Sequence, residues 1–161
     1  AAWTVLDTLC DPEIPVLTLR DLGIVRDVRV AEDSVLEVVI TPTYSGCPAI
    51  SQIEVDIRAT LSANQIEGRV VTQLSPAWTT DWMSAQGKEK LREYGIAPPH
   101  TVTRVVDVVR FAASPPSSEP VACPRCASTN TVESARFGST ACKALYRCLE
   151  CKEPFDYFKN Y

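Results

Sequence analysis

Four cysteines in two pairs carry the clearest chemistry in this sequence. Cys123-Pro124-Arg125-Cys126 and Cys148-Leu149-Glu150-Cys151 are CxxC pairs with 21 residues between them. Each pair lets a tight turn aim two sulfurs at one ion. Two such knuckles complete a tetrahedral shell of four thiolates, which suits Zn2+ at about 2.3 Å per sulfur. Structural zinc is therefore the expected occupant, ahead of an iron–sulfur cluster or a disulfide. A module this small has too little core to fold alone, so the metal is expected to supply its folding energy. A fifth cysteine, Cys142, lies between the pairs and next to Lys143. It reads either as a small buried apolar residue or as a reactive thiol whose thiolate the lysine favours.

Outside this segment one further cysteine stands out. Cys47 sits between Gly46 and Pro48, immediately before an apolar-periodic stretch. A thiol at a helix N-terminus faces unpaired N–H groups and the positive end of the dipole, both of which favour the thiolate. Position alone leaves two readings open, a functional thiol and a buried capping thiol. Asp11 and Glu13 are stiffened by Pro12 and Pro15. They read either as cation-binding or thiol-orienting carboxylates or as the caps that end the first helix. Asp21 is ambiguous in the same way, and Cys10, at a helix end, reads as packing. The one histidine, His100, follows Pro98-Pro99 and reads as solvent-facing. A Ser–His–Asp or Cys–His site is poorly supported. Neither GxxxxGK[ST] nor GxGxxG occurs, so no nucleotide site is marked.

These groups need elements to position them. Trp3–Leu9 reads as a short helix stopped by two prolines, and residues 19–22 as one turn closed by Gly23. Residues 24–30 and 35–41 read as a β-hairpin. Ile50, Ile53, Ile57 and Leu61 recur on one helix face, with Pro48 in the first turn and Gly68 ending the unit. Residues 70–74 form a third strand, residues 81–94 a helix ended by Gly95, and residues 102–111 a fourth strand. The expected fold is α+β: a small mixed sheet of about four strands packed with two to three helices, plus a C-terminal zinc-ribbon β module. The expected domains are 1–111 for the α/β body, 112–120 for a Pro/Ser-rich linker, and 121–161 for the ribbon.

The chain has 161 residues and a net charge of −4. The body is acidic and the tail mildly basic. No apolar run approaches a membrane span, and no signal peptide is visible at the start. Paired cysteines without an export signal point to a reducing, cytoplasmic compartment. Six of the twelve aromatics lie in the tail. They could stack on nucleic acid, but serving as the ribbon's core is the preferred reading.

The body resembles a family of small iron–sulfur assembly domains. The resemblance rests on Asp11-Pro12-Glu13-Ile14-Pro15, Asp21-Leu22-Gly23-Ile24-Val25, Thr41-Pro42-Thr43-Tyr44-Ser45-Gly46-Cys47-Pro48 and Ser75-Pro76-Ala77-Trp78. In that family the cysteine before proline is regarded as the functional thiol, which implies this role for Cys47 and puts the acidic loop on Asp11 and Glu13. The wider pattern often has a second proline where Ala77 stands. The tail segments Phe137–Cys148 and Glu153-Pro154-Phe155-Asp156 narrow the resemblance to a phenylacetate-degradation branch, encoded with a multicomponent oxygenase that epoxidises the ring of phenylacetyl-CoA. The resemblance implies an accessory or maturation role without a catalytic site. The implied partners are the di-iron oxygenase subunit, the iron–sulfur reductase, or both, and Cys47 would transiently meet iron or an iron–sulfur cluster. A scaffold that transfers no metal is the alternative, and a nucleic-acid-binding ribbon is less favoured. Two thiolates hold a cluster better than one, so a homodimer sharing its Cys47 face is a further expectation.

Overall fold

In the computed structural model, which describes residues 2–100 and 120–161, the chain divides into two compact units. One runs to Tyr94 and includes Tyr161; the other spans Gly95–Asn160. Residues 112–119 of the expected 112–120 linker, and the expected strand at 102–111, lie outside the described residues.

The first unit opens with α1 (Ala2–Leu6), shorter than expected, and the following residues form a loop. A hairpin follows, β1 (Val25–Val30) antiparallel to β2 (Leu36–Ile40). The next helix, α2 (Ala49–Ala63), buries Ile53, Ile57 and Leu61, as the apolar spacing predicts. Pro48 is its N-cap rather than its first-turn residue. Asn64 ends the helix, and Gly68 opens β3 (Gly68–Thr72) instead of closing the helical unit. The third strand thus begins two residues earlier than its apolar residues suggest. β3 lies parallel to β2, giving a three-stranded sheet in the order β1-β2-β3. A parallel pair needs a crossover, and α2 supplies it. The core gathers Leu6, Leu17, Leu19, Leu22, Val38, Ile40, Ile53, Ile57, Leu61 and Leu91.

The helix expected from residue 81 starts later. Thr80–Trp82 is one 3₁₀ turn capped by Thr79, and α3 is Ala85–Tyr94. Ser84 decides this start: its Oγ accepts the Gly87 N–H at 2.8 Å and donates to Asp21 Oδ1 at 2.8 Å. Gly95 then adopts φ +93° and ends the helix as expected.

The second unit is a four-stranded sheet in the order β4-β7-β6-β5. Its strands are β4 (Ile96–Ala97), β5 (Thr131–Ala135), β6 (Lys143–Cys148) and β7 (Pro154–Phe158). The β5–β6 hairpin bridges the two CxxC pairs, and β4 adds parallel to β7. Ala97, Val121, Cys123, Ala144, Cys148, Phe155 and Tyr157 form the core, with Tyr146 packed against it. Phe155, Tyr157 and Phe158 are thus buried, with Tyr146 packed against the core, whereas Phe137 and Tyr161 are exposed. His100, expected to face solvent, is half-buried with its ring 5.8 Å from that of Tyr157.

Candidate metal centre and exposed thiol

The ribbon brings Cys123, Cys126, Cys148 and Cys151 together, with all four sulfurs within 4.8 Å of one another. Cys123 Sγ lies 3.7 Å from Cys151 Sγ, and Cys126 Sγ 3.5 Å from Cys148 Sγ. A zinc tetrahedron with bonds of about 2.3 Å has sulfurs about 3.8 Å apart. The donor set and its spacing fit structural zinc. Each knuckle closes on a residue in the left-handed region, Ala127 at φ +60° and Lys152 at φ +66°.

The four thiols are not equivalent. Burial opposes ionisation at Cys148, but the N–H groups of Cys151 and Glu150 and the neighbouring thiols overcome it and bring the thiol down to about 7. At Cys151 the Glu153 N–H favours the thiolate, yet burial and the sulfurs of Cys148, Cys126 and Cys123 push it up to about 12. Cys151 therefore resists ionisation until a cation enters.

Cys142 is 5% exposed, and its Sγ lies 3.0 Å from Thr140 Oγ1. The Lys143 ammonium pairs with Asp156 at 3.6 Å.

In the first unit, three of the sequence segments converge on one end of the sheet. Ile40 pairs with Thr72 across the parallel strands, so the 41–48 loop and the 73–78 segment leave the sheet side by side. The Thr41 N–H donates to the Ile24 carbonyl at 2.9 Å, which brings in the Asp21–Val25 segment. Trp78 Nε1–H, buried, donates to the Leu22 carbonyl at 2.9 Å. The acidic loop is tied on through Leu19, whose N–H donates to Leu9 O and whose carbonyl accepts from Ile24 N–H. The carboxyl ends of parallel strands are where open α/β sheets place ligands.

Cys47 is half-exposed here. Its N–H donates to the Tyr44 carbonyl at 3.3 Å, closing a turn in which Gly46 adopts φ +88°. A Cβ on Gly46 would meet nothing within 4 Å, so the backbone angle, and not crowding, demands glycine there.

Asp11 is buried, and its Oδ1 accepts the N–H groups of Glu13 and Ile14, both at 2.8 Å. That bonding braces the loop. Glu13 is half-buried. Asp21 accepts from Ser84 Oγ, Lys90 Nζ (2.7 Å) and Thr18 N–H. Burial works against its charge, but these bonds win and hold its carboxyl below the usual value. Asp21 thus ties the turn before Gly23 to the start of α3. Cys10, expected to pack, is exposed; the isolated bridge Cys10–Thr18 turns its side chain outward.

Two features escaped sequence reasoning. Thr41 Oγ1, on a residue only 2% exposed, has no hydrogen-bond partner among the described residues. Its signal was faint, a polar β-branched residue at a strand end before proline. The second is charge. Residues 1–94 hold 8 Lys/Arg and 14 Asp/Glu, yet 38–53 and 70–80 hold none. This gap was legible in the sequence, but only the parallel pairing of β2 with β3 joins the two stretches. The two stretches that enter and leave the Cys47 end of the sheet are therefore uncharged, in a unit that is acidic as a whole.

Comparison with known proteins agrees with this architecture. Residues 1–75 match the family described as iron–sulfur cluster assembly protein, and residues 111–159 match the PaaD zinc beta ribbon domain. An assembly-type α/β domain followed by a zinc ribbon is the class these matches define. An Escherichia coli protein named as one subunit of a "Putative 1,2-phenylacetyl-CoA epoxidase" is 52% identical over 161 residues, covering 98% of this chain and 90% of that protein. The chain belongs to the family of that epoxidase subunit. A Porphyromonas gingivalis "Fe-S protein maturation auxiliary factor" is 35% identical over 88 residues, covering 53% of this chain and 83% of its own length. A crystal structure of a domain of unknown function (DUF59) from Bacillus anthracis aligns with TM-score 0.51 at 31% identity, covering 56% of this chain and 87% of that one.

Proposed function

We propose that this chain is an accessory protein that helps mature a multicomponent phenylacetyl-CoA epoxidase, and that Cys47 handles the iron or iron–sulfur cargo. The observation that carries this reading is the convergence of the sequence segments on one end of the sheet, with Cys47 half-exposed on a turn. A transfer site needs a weak and accessible ligand. One thiolate releases its cargo more readily than a four-thiolate cage. The unpaired Thr41 hydroxyl fits a site completed by an incoming group, because an orphaned buried hydroxyl costs about 1–3 kcal/mol.

In this reading Asp11 braces the loop, and Glu13 is the carboxylate it offers. Cys123, Cys126, Cys148 and Cys151 hold zinc, which keeps the ribbon folded. Cys142 packs and does not react, because it is buried and Lys143 pairs with Asp156. The name of the E. coli relative supports other subunits of an epoxidase as partners, and within this reading they are the oxygenase and the reductase.

The test is the iron and acid-labile sulfide content of oxygenase and reductase expressed with wild-type protein or with Cys47→Ala. Loss of sulfide from the reductase assigns cluster delivery. Loss of iron from the oxygenase alone assigns the di-iron site. Unchanged loading of both overturns the transfer role and leaves a scaffold.

A further inference from the structure

The hairpin tip between β5 and β6 carries Phe137, the most exposed aromatic among the described residues of the second unit, at 65%. The ring is not loose. Lys159 Nζ lies 4.4 Å from its centroid and donates to the Arg136 carbonyl at 3.3 Å. The Lys159 N–H in turn donates to the Cys142 carbonyl at 3.0 Å. One face of the ring is thus fixed by a cation, which leaves the ring pre-positioned for a partner.

Among the described residues neither Arg136 nor Lys159 forms an ion pair, although such pairs are frequent elsewhere. The nearby acids are engaged: Asp156 pairs with Lys143, and Glu133 accepts from the Tyr146 hydroxyl at 3.3 Å. An exposed aromatic against a lysine, beside two cations without an ion pair among the described residues, has the composition of an interface anchor.

We infer that Arg136, Phe137 and Lys159 form a docking knob for an acidic protein surface that offers a slot for one aromatic ring. Single-stranded nucleic acid is the weaker fit. It is bound by a succession of stacking rings, and here Phe155, Tyr157 and Phe158 are buried while Tyr146 is half-buried. The inference rests on the accessory reading for its partner, a component of the epoxidase. Its residues are separate from Cys47.

The test measures affinity of the full-length, zinc-loaded protein for the purified oxygenase and reductase at two salt concentrations. Phe137→Ala should weaken binding at least about tenfold, with zinc content unchanged. Arg136→Gln with Lys159→Met should weaken it and flatten the salt dependence. Iron and sulfide loading is followed in parallel with Cys47→Ala, so failure of metal loading and failure of docking are read separately. Three results overturn the inference: affinity indifferent to Phe137→Ala, neither oxygenase nor reductase bound by the wild type, or Phe137-dependent binding of single-stranded DNA in their place.

Discussion

The indole N–H of Trp78 donates to the carbonyl of Leu22 across 2.9 Å, joining residues 56 positions apart. Both partners are buried, so the bond pins the segment after β3 to the turn before β1. Gly23, at φ +70°, completes that turn where a Cβ would strike the Trp82 carbonyl at 2.6 Å.

Trp78→Phe keeps one aromatic ring but removes the donor and some buried volume, leaving the Leu22 carbonyl buried without this bond. We expect a loss of about 1–3 kcal/mol in the first unit, read by urea unfolding. Zinc content should not change.

Asp21 makes a pH-dependent contribution. Its carboxyl is held below its unfolded value of 3.8, because the bonds from Lys90, Ser84 and Thr18 outweigh burial. A depressed folded pKa gives stability that is present above the unfolded value and lost as pH falls through the folded one. Asp21→Asn should therefore cost about 2 kcal/mol at pH 7. Its gap to wild type in urea unfolding should close as pH drops below about 4.

Zinc binding should release protons. Cys151, pushed up to about 12, carries its proton at neutral pH and must lose it to become a ligand. Affinity should rise with pH, and calorimetry in two buffers of different ionisation enthalpy should show at least one proton released. Chelation should unfold residues 121–160 and leave 2–94 folded. Amide exchange showing the ribbon still protected after demetallation would contradict this.

Ala127 occupies left-handed backbone at φ +60°, immediately after the first knuckle. Glycine bears no Cβ penalty there, against about 1–2 kcal/mol for an L-residue. Ala127→Gly should stabilise the ribbon by about 0.5–1 kcal/mol, read as slower zinc loss to a chelator.

Much of this protein was written locally. The CxxC pairs announced a four-sulfur site because two sulfurs three residues apart already point at one ion. The spacing of Ile53, Ile57 and Leu61 announced α2, because one buried helix face repeats every three to four residues. Hairpin and helix boundaries slipped by a few residues wherever a side chain from elsewhere set the end. Ser84, bonded to Asp21, delayed α3 in this way.

The sequence by itself determined the metal donors, the glycine turn before Cys47 and the uncharged composition of two separate stretches, since each depends only on residue type and near neighbours. Only the tertiary structure decided that those stretches meet. The parallel register of β2 and β3 sets them side by side, which no local spacing encodes. It also decided that Asp11 braces its own loop, that Cys142 is buried and that Phe137 stands exposed beneath Lys159. The Asp11 bonds are local but need the loop already folded, the Phe137–Lys159 contact joins segments far apart in sequence, and burial is a property of the packed chain.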